Sequence, residues 1–157
     1  MRFNAPGNWL GETPMKNEDL VGVWRELGRE TVTSDGSIKP DVPRASQIMY
    51  TPDGYMGVVN TPRARKPVDE TAPRMDLDAT TPDARAEAAI GVVAYAGTFE
   101  VKGDDVFHII FTAVNPNRVG DKQRRHITLK GDDLTLTAPP DAQGNFFRIH
   151  WRRAGKM

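Results

Sequence analysis

Two near-identical hexapeptides, Val101-Lys102-Gly103-Asp104-Asp105-Val106 and Leu129-Lys130-Gly131-Asp132-Asp133-Leu134, constrain this chain more than any other feature. Each sets Gly-Asp between apolar residues, and glycine at the first loop position suits a two-residue type II′ hairpin. Such a loop fixes the cross-strand pairing, and because side chains alternate between faces it assigns every residue of both strands to a face. Across Gly131-Asp132, Leu129 meets Leu134 and Ile127 meets Leu136, four apolar residues that must share the interior. The same parity turns Arg125 inward. Across Gly103-Asp104, Val101 meets Val106 and Phe99 meets His108, so His108 points inward with Ile110.

The rest of the chain keeps this rhythm. Short alternating runs near residues 21–33, 45–51, 55–60, 97–102, 105–114, 122–130, 133–138 and 146–153 are separated by turn signals. Thr51-Pro52-Asp53-Gly54 is one of them, with Pro preset for a type I turn and Gly for the left-handed position that follows. About eight strands in a meander close into an antiparallel up-and-down barrel, which removes the exposed edges of an open sheet. One segment departs from the pattern. Thr81-Pro82-Asp83 supplies an N-cap, a first-turn proline and an acid, and predicts a helix of about three turns over residues 84–96. The proline-rich stretch 61–80 ahead of it is either disordered or a lid at a barrel mouth. Residues 1–18 read as an irregular arm with Trp9 as its candidate anchor, and 19–157 as the barrel domain.

Composition removes several classes of function. Lys plus Arg and Asp plus Glu both number 21, so no global field draws the chain to nucleic acid or a membrane surface. With no cysteine there is no disulfide and no thiolate chemistry. Of the three histidines, parity turns His126 and His150 outward, which leaves no plausible metal site. No Gly-rich loop opens a helix to cradle phosphates, so no cofactor is expected. No apolar run approaches the ~20 residues of a membrane span and the first residues lack the apolar core of a secretion signal, so the expected address is cytoplasmic.

Leu20-Val21-Gly22-Val23-Trp24-Arg25 resembles the G-x-W opening of lipocalins and their relatives, and further pieces follow in order. They are the 49–56 turn region, Ala94-Tyr95-Ala96-Gly97-Thr98-Phe99-Glu100, His108, Asn115-Pro116-Asn117, Gly120, Gln123-Arg124-Arg125 and the closing Trp151-Arg152-Arg153. Together they are similar to the lipocalin-like domain family from about Leu20 to Ala154. The resemblance implies an eight-stranded barrel with a helix inserted midway, a cavity for a small molecule, and a late arginine, Arg148 or Arg152, packed over Trp24. It implies no particular reaction.

Parity and resemblance together place a pocket for an apolar molecule carrying an oxygen function among Phe99, Ile110, Ile127, Leu136 and Trp151, with His108 and Arg125 as its polar groups. Tyr50 and Tyr95 add phenols, or pack as core aromatics. No interior acid is evident to pair with Arg125, which either meets a ligand, stacks on Trp151 or caps the barrel end. His108 is either a hydrogen-bonded core residue or a proton carrier. Phe107, Ile109 and Phe111 point outward, for the helix or a second copy to cover. Three readings follow: a binding protein for a small apolar metabolite; a cofactor-independent isomerase, cyclase or lyase with His108 as general acid or base and Arg125 and Tyr95 beside it; or an interaction protein with a filled barrel. Each fits a monomer or a homodimer.

Overall fold

The computed structural model describes residues 14–68 and 77–155, so most of the N-terminal arm, including Trp9, and part of the 61–80 connection lie outside it. A one-turn helix α1 (Asn17–Leu20) leads into strand β1 (Gly22–Val32), a short β2 (Ile38–Pro40), β3 (Arg44–Tyr50) and β4 (Tyr55–Pro62). Helix α2 (Pro82–Ala89) precedes β5 (Val93–Lys102), β6 (Asp105–Ala113), β7 (Lys122–Lys130), β8 (Asp133–Thr137) and β9 (Phe146–Arg153). β1 pairs antiparallel with β3, each strand from β3 to β9 pairs antiparallel with the next, and β9 returns to β1, which closes an eight-stranded barrel. The ninth strand, β2, pairs only with the far half of β1.

Both repeated hairpins have the expected geometry. Lys102 pairs with Asp105 and Lys130 with Asp133. Gly103 and Gly131 sit at φ of +59° and +60°, while no described non-glycine residue has positive φ, so the aspartates stay right-handed and the turns are type II′. Phe99 faces His108 and Ile127 faces Leu136 across their ladders. His108 is buried and His126 exposed, as the register requires.

Two β-bulges alter the parity and move residues that simple alternation misplaces. In β1 the register shifts between Glu26 and Gly28. Trp24 and Glu26 are interior before the shift, and Arg29, opposite the inward Ile149, is interior after it. In β6 the shift makes Phe111 the extra residue, 57% exposed. Gly97 lies opposite this bulge, and a Cβ there would come within 1.8 Å of the Ile109 carbonyl oxygen. Gly97→Ala is therefore expected to cost about 2 to 3 kcal/mol by urea unfolding. On neighbouring β4, Gly57→Ala meets only the Ala96 Cβ at an ordinary 3.8 Å and serves as the near-neutral control. Equal midpoints for the two variants would exclude the close approach.

The inserted helix is shorter than expected, ending at Ala89 rather than reaching Ala96. Gly91 at φ +71° stops it, and Ala94 and Ala96 join the ladder opposite Val59 and Gly57, where sheet pairing outweighs alanine's helix preference. Helix α2 buries no residue, so it does not cover the outward aromatic run. Phe107 is instead half-buried beneath Lys102 and Lys122, whose ammonium groups stand 5.9 and 4.7 Å from its ring centre.

One end of the barrel is shut. Trp24 is fully buried and donates its Nε1–H to the Leu20 carbonyl at 2.8 Å. The guanidinium over its ring belongs to Arg153, at 4.1 Å, and not to Arg148 or Arg152. Those two lie on the outside, on Glu30 and Asp133, because Arg153 alone shares the inward parity of Trp151. From α1, the Asn17 side chain accepts the Val101 N–H at 2.8 Å and ties the plug to β5.

Candidate functional site

Toward the opposite end the interior is not filled. A cavity of about 160 Å³ lies between apolar walls that include Ile48, Val58, Leu136, Ile149 and Trp151. A dry apolar cavity of about 150 Å³ is enough to admit benzene, so this space fits a single small ring or its equivalent. His108, Tyr95 and Gln123 form its polar side, and Arg29, Arg118 and Arg125 also reach it. Of the residues singled out from sequence, the cavity brings together Tyr95, His108, Arg125, Leu136 and Trp151. Tyr50, Phe99, Ile110 and Ile127 are buried behind that wall, with Tyr50 edge-on to Phe99 at 4.7 Å between ring centres.

The polar side is a continuous hydrogen-bonded chain. Arg118 donates to Gln123 Oε1, and since a guanidinium can only donate, the amide nitrogen of Gln123 must face the other way. That nitrogen donates to the Tyr95 oxygen at 2.6 Å. Tyr95 meets His108 Nδ1 at 3.1 Å, and His108 Nε2 meets the Tyr50 oxygen at 2.9 Å. Burial, helped by the nearby Arg125 and Arg118, pushes the His108 pKa down from 6.5 to about 3, so the ring is neutral with one N–H. Burial also raises both phenols, Tyr50 most, so they too are neutral.

Counting protons along this chain exposes a mismatch. Two links remain after Gln123 has donated to Tyr95, Tyr95 to His108 and His108 to Tyr50, each taking one proton, while the second Gln123 N–H stands at a longer 3.4 Å from His108 Nδ1. Three protons compete for them: two phenolic and one imidazole. Whichever tautomer His108 adopts, one phenolic O–H finds no acceptor within the chain.

The cationic groups differ in how they are answered. Arg29 makes a two-pronged pair with the buried Glu26, at 2.8 and 2.7 Å, so an interior acid does exist. Arg118 stands over the Tyr95 ring at 4.7 Å and has Asp121 at 3.7 Å. Arg125 stacks on Phe147 at 5.0 Å, not on Trp151, and donates to its neighbour's carbonyl at 2.7 Å. No carboxylate among the described residues pairs with it, and desolvation lowers its pKa. The buried Trp151 Nε1 also finds no acceptor among the described residues.

Sequence reasoning missed four of these groups. Gln123 was within reach, since it faces His108 across the ladder and shares the parity of Arg125. Glu26 shares the parity of Trp24 in the same way. Arg29 is turned inward by the β1 bulge, and Arg118 sits in a turn without periodicity, Pro116–Arg118, so neither had a local signal. No group of three or more metal-ligating side chains converges among the described residues.

No curated protein matches the chain. Among solved structures, a lipocalin-like protein from Bacteroides uniformis is 15% identical with a TM-score of 0.44, the alignment covering 87% of this chain and 99% of that one. An uncharacterized protein from Bacteroides eggerthii is 10% identical with a TM-score of 0.43, over 86% and 99% of the two chains. The lipocalin-like domain family model matches residues 21–154, which is the whole barrel, and the chain belongs to that family.

Proposed function

We propose that this protein binds a small, largely apolar organic molecule inside the barrel. The observation that carries the reading is the cavity of about 160 Å³, apolar on most sides and polar on one, in an interior that elsewhere packs closely. Protein cores leave few voids larger than a water molecule, and ligand pockets combine apolar walls with a few polar groups that fix orientation.

Binding ranks ahead of a cofactor-independent isomerase or cyclase because neither His108 nor the phenols of Tyr50 and Tyr95 are suited at rest to exchange protons near neutrality. General acid–base catalysis works best with a pKa near the working pH. His108 lies far below it, and the phenols of Tyr50 and Tyr95 lie above their ordinary range. Both His108 nitrogens are, besides, engaged by phenols.

Toluene and phenol are suitable probes. A saturating probe at about a hundred times its Kd stabilises the native state by about 2.7 kcal/mol, a Tm rise of roughly 5 to 10 °C for a chain of this size. Val58 lines the cavity, so Val58→Phe should fill part of it and abolish the rise while the far-UV spectrum stays that of the barrel. If neither probe raises the Tm of the wild type, or if the rise survives in Val58→Phe, the reading is wrong.

A further inference from the structure

We infer that the molecule held in the cavity is an organic acid, its carboxylate received by Arg125 and Tyr95 and its apolar body lodged against Leu136, Ile149 and Trp151. This rests on the binding reading above and adds the charge and head group of the ligand.

Three observations converge on it. First, the chain from Gln123 to Tyr50 carries one phenolic proton more than it has acceptors. Tyr95 is the phenol on the cavity wall, so it is where an outside acceptor can take that proton. If Tyr95 donates into the cavity, His108 donates from Nδ1 to the Tyr95 oxygen and Tyr50 donates to Nε2, and every proton is placed. Second, Arg125 lines the same cavity with no carboxylate partner among the described residues, whereas Arg29 has Glu26 and Arg118 has Asp121. Arg125 is partly buried, and a guanidinium partly withdrawn from water gains from an anion that meets it. Third, no carboxylate is among the lining residues, so nothing on the wall repels an anion.

The alternatives leave something unanswered. A hydrocarbon answers neither the spare donor nor the charge. An alcohol or amide can take the Tyr95 proton but leaves the guanidinium unpaired, and an amine would face three guanidinium groups. A carboxylate has two oxygens with about four acceptor positions, enough for the phenol and the guanidinium together, and charge-assisted bonds of this kind are the stronger class.

The test compares benzoate, benzamide and benzyl alcohol, three probes with the same ring, by calorimetric titration at neutral pH. Benzoate is expected to bind at least ten-fold tighter than either neutral probe. In Arg125→Met that preference should disappear while affinity for benzyl alcohol is kept, and in Tyr95→Phe benzoate should weaken by about five- to ten-fold. Nitrogen NMR of the benzoate complex should find the His108 proton on Nδ1. Benzyl alcohol binding as tightly as benzoate, or a benzoate preference that survives in Arg125→Met, overturns the acid assignment and leaves the cavity reading standing. If none of the three probes binds, the acid assignment falls, and the toluene and phenol shifts decide the cavity reading separately. Circular dichroism of each variant checks that the barrel is intact, and the wild-type comparison decides the matter even where a variant does not fold.

Discussion

Trp24→Ala is expected to destabilise the barrel by about 3 to 5 kcal/mol, the usual range for truncating a buried large aromatic. The residue is fully buried, its indole N–H holds the Leu20 carbonyl, and Arg153 covers its outer face while donating to the carbonyls of Val21 and Asp19. Alanine would open a void at the closed end and unseat both α1 and the arginine. For a chain of this size the loss lowers Tm by roughly 6 to 20 °C. Arg153→Met separates the contributions, since it leaves the ring in place and should cost only about 1 to 2 kcal/mol. A Trp24→Ala midpoint in urea within error of wild type would show that the plug carries no stability.

Acid should weaken the fold through His108 before the carboxylates titrate. Its folded pKa, about 3, lies below the ordinary 6.5, so below pH 6.5 the unfolded chain takes up a proton that the native state refuses. Stability from this group is thus complete above about pH 7 and is lost as pH falls toward 3, at up to about 1.4 kcal/mol per pH unit. The loss is about 2 kcal/mol by pH 5 and about 4 kcal/mol by pH 3. Below about pH 4.5 Glu30, Glu100, Asp35 and Asp141 add to it, because their hydrogen bonds lower their folded pKa values. The window from pH 7 to 5 therefore reports on His108. Urea midpoints across that window should fall in the wild type and stay nearly level in His108→Gln. As a check that needs no variant, the His108 ring resonances should not move between pH 8 and 4.5 in the folded protein. A titration of those resonances near pH 6.5 would mean that the ring is open to solvent.

Much of the site was legible because a two-residue turn is a strict ruler. Gly103-Asp104 and Gly131-Asp132 placed Phe99, His108, Ile127 and Leu136 on one interior face, and the observed ladders pair them that way. The same parity reaches further. Extended two residues from Arg125 it reaches Gln123, and extended two from Trp151 it reaches Arg153, the residue that covers Trp24 in place of Arg148 or Arg152.

The limit of such reasoning is set by whatever interrupts the period. The bulges at Leu27 and Phe111 each add one residue without a pairing partner, and each reverses the faces beyond it. Arg29 enters the interior for that reason, while Phe111 is left exposed and not covered by α2. Residues 84–96 show the same limit in another form. Alanine-rich composition favours a helix throughout, yet Gly91 and the pairing of Ala94 and Ala96 with β4 end it at Ala89.

By itself, then, the sequence determined the closed antiparallel barrel, its repeated hairpins and the inward course of His108, because local turn geometry and strict alternation act over a few residues and leave one consistent answer. Only the tertiary structure decided which interior residues fill the barrel and which border a void. It also decided that Glu26 answers Arg29 while Arg125 has no such partner among the described residues, and that His108 lies between two phenols. The Glu26–Arg29 pair depends on the bulge that turns Arg29 inward, and the setting of His108 on distances between side chains from strands far apart in the chain; neither is encoded in the period of any one strand.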